Sequence, residues 1–537
     1  MNVDYSIYLV TGRDLLPPGK NYLESLEEAL QGGVTIVQIR EKDADTEEFI
    51  NIARASKAAC DKYNVPILIN DRVDVALAIG AHGVHLGQTD MSVSQARALL
   101  PKDSIIGVSC NNVRHVKQAI EDDVDYIGIG AVWGTQTKKL TNPIIGVRGT
   151  GEMLEMLGGT SIIAIGGIKA SNLLRTLFGT VSSTRHALDG IAVVSEIMAS
   201  QTPKDATQKL VKIFSAFRAE FTSTALKGWT FSSSLYRQGG SRPEHGRILE
   251  GVQSLMSHIR IARPLVHQIT NNVVATQSAN ITLALGASPI MATGPEEMED
   301  LERITGALLI NIGTLTVASV EGMRKAGYYA NAFRKPLVFD PVGVGASQFR
   351  KDSVKELLNL CQASVIKGNA GELAAIAGSR EVESKGVDSV GSGFKDPVTF
   401  VKQLARKERS IVVMTGPTDY VSDGTTVVSL SNGHGILGKI TGSGCIAGSS
   451  VASYCAAAST LATNENVQGM TFGSLVSGDM FLGAIAGVLV LTVAAELAVE
   501  SGNVRGPGTF LDTLIDSLWT ITPEDVIKKA RVVVHEP

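Results

Sequence analysis

The chain has 537 residues, of which 44% are hydrophobic, 19% are charged and 55 are glycine. This length exceeds what one hydrophobic core supports, because domains run to about 100–200 residues and α/β barrels to about 250, so two large domains are expected. The 49 basic and 53 acidic residues leave a formal charge of −4, which excludes a global field suited to nucleic acid or to an anionic membrane.

The cysteine content indicates a reducing compartment, so we expect a cytoplasmic protein. Five cysteines are present and no two have the C-x-x-C spacing, which argues against a zinc site. The N-terminal sequence lacks a basic stretch followed by an apolar one, and no secretory signal is expected. The uncharged run at 480–495 has 16 residues, fewer than the roughly 20 that span a membrane, so we expect a buried helix.

Eight short runs rich in β-branched residues recur through the first part of the chain and alternate with segments of helical spacing. They begin at residues 6, 35, 66, 83, 105, 126, 162 and 190. Eight such units in about 220 residues predict a (β/α)8 TIM barrel, whose active site lies where the strands end.

The amino-acid composition of the chain changes after Ala219. Residues 222–246 are rich in Ser, Gly and Arg, so we predict the interdomain linker here, with a barrel domain assigned to 1–235 and a second domain to 247–537. Beyond Ile248 strands and helices alternate without the eightfold rhythm, which favours an open α/β/α layered sheet.

Charged residues follow several strands of the predicted barrel, among them Arg40, Lys42, Asp71 and Asp90. Because these strand ends converge on one rim, two carboxylates with cations nearby suit a Mg²⁺-bound diphosphate. Asp71 and Asp90 are the candidate metal ligands. Each residue alone is more often a surface charge or a helix cap, and Asp71 could cap a helix beginning at Arg72.

A second anion site is indicated after the last two strands. Gly166 and Gly167 follow the seventh strand, and Val194 and Ser195 follow the eighth, where barrels frequently bind phosphate through backbone N–H groups. A tight turn explains a glycine pair equally well, but the ordinal positions favour the phosphate site.

Across residues 5–200, the motifs and their order resemble the thiamine-phosphate synthases. They are Gln-x-Arg-Glu-Lys at 38, Ile-Asn-Asp at 69, Gly-Val-His-Leu-Gly-Gln at 83, Gly-Val-Ser at 107, Thr-Gln-Thr-Lys-Lys at 135 and Ile-Gly-Gly-Ile at 165. One departure is that Cys110, Asn111 and Asn112 stand where the family often has small residues and His.

The resemblance implies three sets of site residues and a reaction that joins hydroxymethylpyrimidine diphosphate to hydroxyethylthiazole phosphate. The pyrimidine diphosphate would be held by Gln38, Arg40, Lys42, Asn70, Ser109 and Lys138, its Mg²⁺ by Asp71 and Asp90, and the thiazole phosphate by Thr135, Thr137, Gly167, Val194 and Ser195. No protein nucleophile is needed, because positioning and stabilisation of the leaving pyrophosphate suffice; we take Lys138 as the catalytic cation.

The second domain contains a glycine-rich turn that opens a helix, Lys-Ile-Thr-Gly-Ser-Gly-Cys at 439–445. Such a turn presents free N–H groups and the positive end of the helix dipole to an anion, although a close helix-packing turn has the same sequence character. Acidic and small polar residues also follow apolar strands, namely Asp340, Asn369, Glu372 and Thr415. No G-x-x-x-x-G-K-[ST] is present, so a P-loop kinase is not expected.

Residues 250–530 resemble hydroxyethylthiazole kinases of the ribokinase-like class. The motifs are V-H-Q-I-T-N-N-V-V at 266, A-L-G-A-S-P-I-M at 284, F-D-P-V-G-V-G-A at 339, K-G-N-A-G-E at 367, G-V-D-S at 386 and T-G-S-G-C at 441. The resemblance implies a thiazole pocket at Asn271 and Met291, support of Mg²⁺ and phosphates by Asp340 and Glu372, ATP binding at Lys367 and Thr415, and an anion hole at Gly442, Ser443 and Gly444. Lys367 stands where Arg is usual and Thr276 where Asn is common.

Cys445 occupies the position at the helix start where ribokinase-like enzymes generally have an aspartate base. A free thiol has a pKa of roughly 8.5 and a helix N-terminus lowers it, so we expect partial thiolate near neutral pH and a catalytic role for Cys445.

Together the halves are consistent with one pathway, because the kinase product is the synthase's second substrate. The expected partners are small-molecule pyrimidine, thiazole and nucleotide substrates, with ATP as co-substrate and Mg²⁺ as cofactor, but neither nucleic acid nor a membrane. By resemblance we expect a homo-oligomer formed through the kinase domain. Two alternatives are a catalytically silent sensor of thiamine intermediates, and another phosphate-handling barrel fused to a sugar or vitamin kinase.

Overall fold

The computed structural model describes residues 3–135, 143–182, 184–222, 245–379, 383–385, 388–390, 394–465 and 475–535. The chain divides into two units, Met1–Ala219 and Glu220–Pro537. Residues 223–244 of the predicted linker lie outside the described residues. The linker at 222–246 and the domain limits at 235 and 247 therefore stay predictions.

The first unit is a closed barrel of eight parallel strands in sequential order. The strands are β1 (Ile7–Val10), β2 (Ile36–Ile39), β3 (Ile67–Asn70), β4 (Gly83–Leu86), β5 (Ile105–Cys110), β6 (Tyr126–Ile129), β7 (Ser161–Ile165) and β8 (Gly190–Val193). Tyr8 of β1 is in register with Ile36 of β2 on one side and Ala192 of β8 on the other, which closes the barrel. All eight predicted strands and the TIM-barrel fold are confirmed.

Helices connect the barrel strands and cover them. Their bounds are Tyr22–Gly32, Thr46–Asp61, Val73–Ile79, Val93–Leu99, Val113–Glu121, Gly146–Leu154, Ala170–Gly179, Ser195–Met198 and Pro203–Thr222, with a 3₁₀ turn at Arg13–Leu15. Local sequence explains their ends: the Asn21 side chain accepts from the N–H of Leu23, and Gly33 ends the same helix at a φ of 105°. The interior of the barrel is filled by side chains that include Tyr8, Ile36 and Tyr126.

The second unit contains an open nine-stranded sheet with the order β10-β9-β11-β12-β13-β16-β17-β18-β19. The strands of this unit are β9 (Leu265–Ile269), β10 (Ser288–Ile290), β11 (Ala307–Asn311), β12 (Leu337–Asp340), β13 (Val365–Asn369), β14 (Glu383–Lys385), β15 (Asp388–Val390), β16 (Ile411–Thr415), β17 (Asp419–Ser422), β18 (Val427–Leu430) and β19 (Val532–His535). The first six strands of the sheet run parallel and the last three pair antiparallel, while β14 and β15 form a separate hairpin.

Helices cover both faces of this sheet, as expected for a layered α/β/α fold. Their bounds are His245–Ala262, Ala275–Leu285, Met298–Ile304, Val317–Ala332, Gln348–Leu360, Ala370–Ala377, Pro397–Glu408, Ser443–Glu465, Met480–Glu500, Pro507–Thr520 and Pro523–Lys529, with 3₁₀ turns at Val344–Ala346 and Gly435–Lys439. Successive residues of β11 face opposite layers: Ile310 joins the core beneath the helix at 317–332, whereas Leu309 lies against the helix at 443–465.

Two helices, Ser443–Thr463 and Met480–Glu500, are long and apolar enough to cross a membrane, but 83% and 89% of their most apolar windows are buried. The two helices approach closely because Gly487 lacks a side chain, since a Cβ there would lie 2.5 Å from Cα of Val451. The apolar run at 480–495 is therefore part of a buried helix, as predicted. The helix is longer than the apolar run alone indicated, because it continues to Glu500.

Candidate active sites

The carboxyl ends of the barrel strands surround a cavity of about 500 Å³. Its lining includes every described residue that the sequence assigned to this site. These are Gln38, Arg40, Lys42, Asn70, Asp71, Asp90, Ser109, Thr135, Gly167, Val194 and Ser195. Thr137 and Lys138 lie outside the described residues.

Asp71 and Asp90 form a hydrogen-bonded carboxylate pair beside Lys42 in this cavity. Burial and the neighbouring Asp71 raise the pKa of Asp90, whose Oδ2 also accepts from the N–H of Gly87 at 2.7 Å. Burial opposes ionisation of Asp71 too, but the hydrogen bond from Asp90 and the ion pair with Lys42 lower the pKa of Asp71. The two carboxylates therefore lie close enough for one bound cation to relieve their mutual repulsion.

Asp71 does not cap the following helix, so that alternative for it is wrong. The helix begins at Val73, and its N-cap is Arg72, which makes no side-chain capping hydrogen bond. Asp71 instead has a left-handed φ of 62°, in the turn between β3 and this helix. Among the described residues no group of three or more His, Cys, Asp or Glu side chains forms a metal cluster. Two carboxylates fit Mg²⁺, which usually keeps several waters and binds substrate phosphate.

Glu41 lies between Arg40 and Lys42 in the sequence, and Arg13 neutralises its carboxylate. Arg13 donates to both Glu41 carboxylate oxygens at 3.0 Å. The same guanidinium contacts Glu48 at 2.8 Å. Glu41 is thereby paired with Arg13, and Lys42 is instead paired with Asp71.

The sequence analysis missed a chain of hydrogen bonds that crosses the floor of the cavity. Gln38 Nε2 donates to the Tyr8 hydroxyl at 2.9 Å, and the Tyr8 and Tyr126 hydroxyls lie 2.7 Å apart. His85 Nδ1 is 2.7 Å from the Tyr126 hydroxyl, and His85 Nε2 is 2.8 Å from Ser109 Oγ. A signal was available, because Tyr8 and Tyr126 place hydroxyl groups in strands whose inward residues are otherwise apolar.

The glycine loop after β7 and the short helix after β8 both reach this cavity. Gly166 and Gly167 have φ values of 91° and 65°, and a Cβ on Gly167 would lie 2.4 Å from the carbonyl oxygen of Gly134. The helix Ser195–Met198 begins directly after Val194. The tight turn is therefore real, and it coexists with a pair of backbone segments suited to a phosphate.

In the second unit, polar residues collect where parallel strands end. Asp340 is the last residue of β12 and is completely buried. Its Oδ1 lies 3.1 Å from Lys367 Nζ, and its Oδ2 accepts from Asn311 Nδ2 at 2.8 Å. Asn311 Oδ1 in turn accepts from Asn271 Nδ2 at 3.0 Å. Asp340 is thus charge-paired and hydrogen-bonded within one buried network.

Glu372 links two loops at the edge of this network. Its Oε1 accepts from the N–H of Gly343 at 2.9 Å, and its Oε2 accepts from the N–H of Asn369 at 2.8 Å. Burial raises the pKa of Glu372 to about 7, with the Asp340 carboxylate adding to the effect. Glu372 therefore fixes the loop after β12 against the helix that begins at Ala370.

The glycine-rich turn leads into the helix Ser443–Glu465, as predicted. Gly442 has a φ of 78°, and a Cβ on it would lie 2.0 Å from Cγ1 of Val274, so only glycine fits. A Cβ on Gly444 would lie 3.3 Å from Lys367 Nζ. The amine of Lys367 therefore lies beneath the first turn of the helix and adds positive charge to its N-terminus.

Cys445 belongs to the same cluster, and Asn271 Nδ2 donates to its Sγ at 3.3 Å. Burial and the nearby Asp340 carboxylate raise the pKa of the Cys445 thiol, although Lys367 and the asparagines oppose the shift. The expectation of partial thiolate near neutral pH is therefore wrong. The helix N-terminus is present, but desolvation and a carboxylate outweigh it.

The structure brings Asn271, Asp340, Lys367, Glu372, Gly444 and Cys445 together through these contacts. Met291 and Thr415 stand at the ends of two other strands of the sheet. Met291 follows β10 and is partly exposed, and Thr415 is the last residue of β16, where its hydroxyl lies 3.4 Å from the Gly368 carbonyl oxygen. Both lie at the carboxyl edge that carries the cluster.

Comparison with known proteins matches each unit to a family. Residues 7–197 match the thiamine monophosphate synthase family, and residues 256–524 match the hydroxyethylthiazole kinase family. A "Probable thiamine biosynthetic bifunctional enzyme" of Schizosaccharomyces pombe is 36% identical, over 98% of this chain and 96% of the relative.

Two further relatives agree with this division. The "Thiamine biosynthetic bifunctional enzyme" of Saccharomyces cerevisiae is 36% identical, over 98% of this chain and 97% of its own length. A "Hydroxyethylthiazole kinase" of Thermoanaerobacter sp. is 40% identical, over 52% of this chain and 99% of its own length. Full-length relatives thus span both units, and a single-domain relative spans about half of the chain.

Proposed function

This chain belongs to the bifunctional thiamine biosynthetic enzymes, with a thiamine-phosphate synthase domain and a hydroxyethylthiazole kinase domain, and we propose how its residues perform the two reactions. The observation that carries the proposal is the convergence of all eleven described barrel residues on one cavity. In the kinase domain, six of the described candidates meet around the start of one helix.

In the barrel, we propose that hydroxymethylpyrimidine diphosphate and hydroxyethylthiazole phosphate bind side by side. Breakage of the bond between methylene carbon and diphosphate oxygen leaves positive charge on the pyrimidine methylene, and the thiazole nitrogen forms the new bond there. Pyrophosphate leaves with the electron pair. No side chain becomes covalently attached, so the protein positions both substrates and stabilises the leaving group.

Arg40 and Lys42 line the cavity and are proposed to contact the diphosphate, since Arg13 neutralises Glu41 between them and Lys42 is paired with the proposed metal ligand Asp71. Asn70, Gln38 and Ser109 complete the pyrimidine site, and Lys138 is proposed as a further cation on the leaving group. Asp71 and Asp90 would hold Mg²⁺, which when bound neutralises diphosphate charge. Thr135, Thr137, Gly167, Val194 and Ser195 are proposed to hold the phosphate of the thiazole.

In the kinase domain, we propose that the thiazole alcohol attacks the γ-phosphate of ATP beside Cys445. The backbone N–H groups of Gly442 to Gly444, with Lys367 beneath them, are placed to stabilise charge on the transferred phosphoryl group. Asn271 and Met291 are assigned to the thiazole, Thr415 and Lys367 to the nucleotide, and Asp340 and Glu372 to the support of Mg²⁺ and phosphates. Lys367 acts as a point charge, without the paired donors of an arginine.

We propose that the protein works in the cytoplasm as a homo-oligomer assembled through the kinase domain. The five cysteines are free in the structure, as a reducing compartment requires. Light scattering on the purified protein measures its mass. A monomer across the working concentration range would contradict the oligomer.

A coupled assay tests the two reactions together. Purified protein is supplied with hydroxymethylpyrimidine diphosphate, hydroxyethylthiazole, ATP and Mg²⁺, and thiamine phosphate is measured. We expect product that depends on ATP, and product without ATP when preformed thiazole phosphate replaces the alcohol. A silent sensor would bind the intermediates without forming product, and a kinase for another alcohol would phosphorylate that alcohol in preference to hydroxyethylthiazole.

A further inference from the structure

A histidine and a glutamate are completely buried together in the kinase domain. His267 and Glu302 are both 0% exposed, and Nδ1 of His267 lies 2.5 Å from Oε1 of Glu302. His267 is the middle residue of β9, and its neighbour Gln268 accepts a hydrogen bond from the helix Ser443–Glu465. Successive residues of a strand point to opposite faces, so His267 points to the other layer, where the helix Met298–Ile304 carries Glu302. The pair therefore lies on the opposite face of the sheet from the helix that begins at the glycine-rich turn.

The hydrogen atoms of this pair follow from its neighbours. Nε2 of His267 lies 2.9 Å from the carbonyl oxygen of Ala292, which can only accept, so Nε2 carries a hydrogen and donates it. Nδ1 and Glu302 Oε1 must share a further hydrogen, because two lone pairs would repel each other at 2.5 Å. The Thr305 hydroxyl donates to Glu302 Oε2 at 3.1 Å. Wherever the shared hydrogen lies, the pair is neutral overall, which lowers the cost of its complete burial.

The hydrogen bond from His267 holds the segment that follows β10. Ala292 comes directly after Met291, and Met291 directly follows the last residue of β10. A second contact fixes the same segment, because a Cβ on Gly322 would lie 2.5 Å from the carbonyl oxygen of Thr293. The backbone at Thr293 thus packs directly against the helix that contains Gly322. The two carbonyl groups after Met291 are therefore held by different elements of the domain.

We propose that His267 is a positioning residue of the kinase, which sets the affinity for the thiazole by fixing the backbone beside Met291. The proposal rests on the assignment of Met291 to the thiazole pocket under the proposed function. The residues assigned to the nucleotide, Lys367 and Thr415, belong to β13 and β16, which β11 and β12 separate from β9. Loss of the hydrogen bond to Ala292 should therefore weaken thiazole binding and leave ATP binding unchanged.

His267→Phe combined with Glu302→Leu tests the proposal, because this double variant leaves no unpaired carboxylate in the core. The KM of hydroxyethylthiazole, the KM of ATP and the turnover number are measured in the full chain. The KM of the thiazole should rise about tenfold, since the Ala292 carbonyl loses its donor and the segment beside it shifts. The KM of ATP and the turnover number should change much less. A wild-type KM for the thiazole, or an equal rise in both KM values, would overturn the proposal.

Glu302→Gln is the matched control, because its amide can keep every hydrogen bond of the pair. The amide Nε2 donates to Nδ1 of His267, the amide oxygen accepts from Thr305, and His267 still donates to Ala292. The thiazole KM should stay close to the wild-type value. A rise as large as that of the double variant would show that the acid, and not the bond to Ala292, governs binding, which contradicts the proposal. Wild-type protein that phosphorylates no hydroxyethylthiazole would instead contradict the proposed function.

The protonation of the His267 ring gives a second test, which does not depend on the double variant. In protein labelled with ¹⁵N-histidine, Glu302→Gln should change the Nδ1 signal of one ring, and this change identifies His267. Nε2 of that ring should carry a hydrogen in both the wild type and the variant. If no ring changes, or if the changed ring has no hydrogen on Nε2, the proposal is wrong.

Discussion

Nζ of Lys367 lies 3.1 Å from Oδ1 of Asp340, and the two side chains are 3% and 0% exposed. Such a pair is costly to bury, and its partners become strongly interdependent because neither charge can reach water. Asp340 is at the end of β12 and Lys367 within β13, so the ion pair joins neighbouring strands directly below the turn at Gly442 to Gly444.

Lys367→Met should destabilise the kinase domain by about 3–5 kcal/mol, because it leaves the Asp340 carboxylate buried without a cation. Calorimetry of the full chain should show a lowered kinase-domain transition, and kinase activity should be lost while joining remains. The control is Asp340→Asn with Lys367→Met, which should recover much of the stability but no kinase activity. A wild-type transition in the single variant would show that the pair does not govern stability.

Periodicity predicted the barrel because its strands are short, apolar and regularly spaced. All four residues of Ile36–Ile39 are buried and three of them are aliphatic, which is typical of a parallel strand covered on both faces. The edge of the kinase sheet was not predicted, since β19 pairs with β18 from a distant part of the chain and no local pattern indicates that partner.

The sequence predicted which residues form the sites better than it predicted their pKa values. Strand ends identified Asp71, Asp90 and Asp340 because carboxyl ends of parallel strands converge. The raised pKa of Cys445 was missed because burial of the thiol and the approach of Asp340 arise only in the folded domain. The hydrogen bonds across the floor of the barrel cavity were missed for a similar reason. Tyr8 and Tyr126 are 118 positions apart in the sequence, and a tyrosine in a strand is typical of a core residue.

Asp71→Ala and Asp90→Ala should each abolish joining and leave thiazole phosphorylation intact. Removing either carboxylate weakens the proposed Mg²⁺ site and leaves diphosphate charge unneutralised. Initial rates of both reactions, measured over a range of Mg²⁺ concentrations, provide the test, and the kinase serves as the internal control. Wild-type joining at moderate Mg²⁺ in both variants would exclude these residues as metal ligands.

Cutting the chain within 222–246 should separate the two activities, because the structure divides at Ala219 and the linker composition predicts few contacts there. A protease site inserted in this segment of the full chain allows both reactions to be followed before and after cleavage. Each should persist. A folded fragment 1–235 that is inactive with preformed thiazole phosphate would contradict independent domains.

Asp419 should make kinase-domain stability depend on pH. Its Oδ1 accepts from the N–H of Gly416 at 3.0 Å, and burial raises its pKa from 3.8 to about 7. Between these pH values the unfolded state loses a proton that the folded state keeps, so stability falls as pH rises through this window and then levels off. Melting temperatures at pH 4.5 to 8 should fall less steeply for Asp419→Asn, which keeps the acceptor oxygen. An unchanged slope would place the pH dependence elsewhere, for example at Glu372.

The buried thiol of Cys445 determines what its substitution should do to kinase turnover. Because burial and Asp340 raise its pKa, the thiol is protonated near neutral pH and can accept the substrate's proton only inefficiently. Cys445→Ala should therefore slow the kinase without eliminating it, since the N–H groups of Gly442 to Gly444 remain. Joining in the barrel should not change.

Cys445→Asp should keep or raise kinase turnover, because a carboxylate is ionised at lower pH than this thiol and can be stabilised by Lys367 and by the Asn271 amide. The pH profile separates this role from simple packing. If Cys445 is the base, wild-type turnover rises with pH into the alkaline range, and Cys445→Asp moves that rise to lower pH. If Cys445 only fills space, Cys445→Ala is nearly silent, Cys445→Asp is harmful beside Asp340, and neither profile shifts.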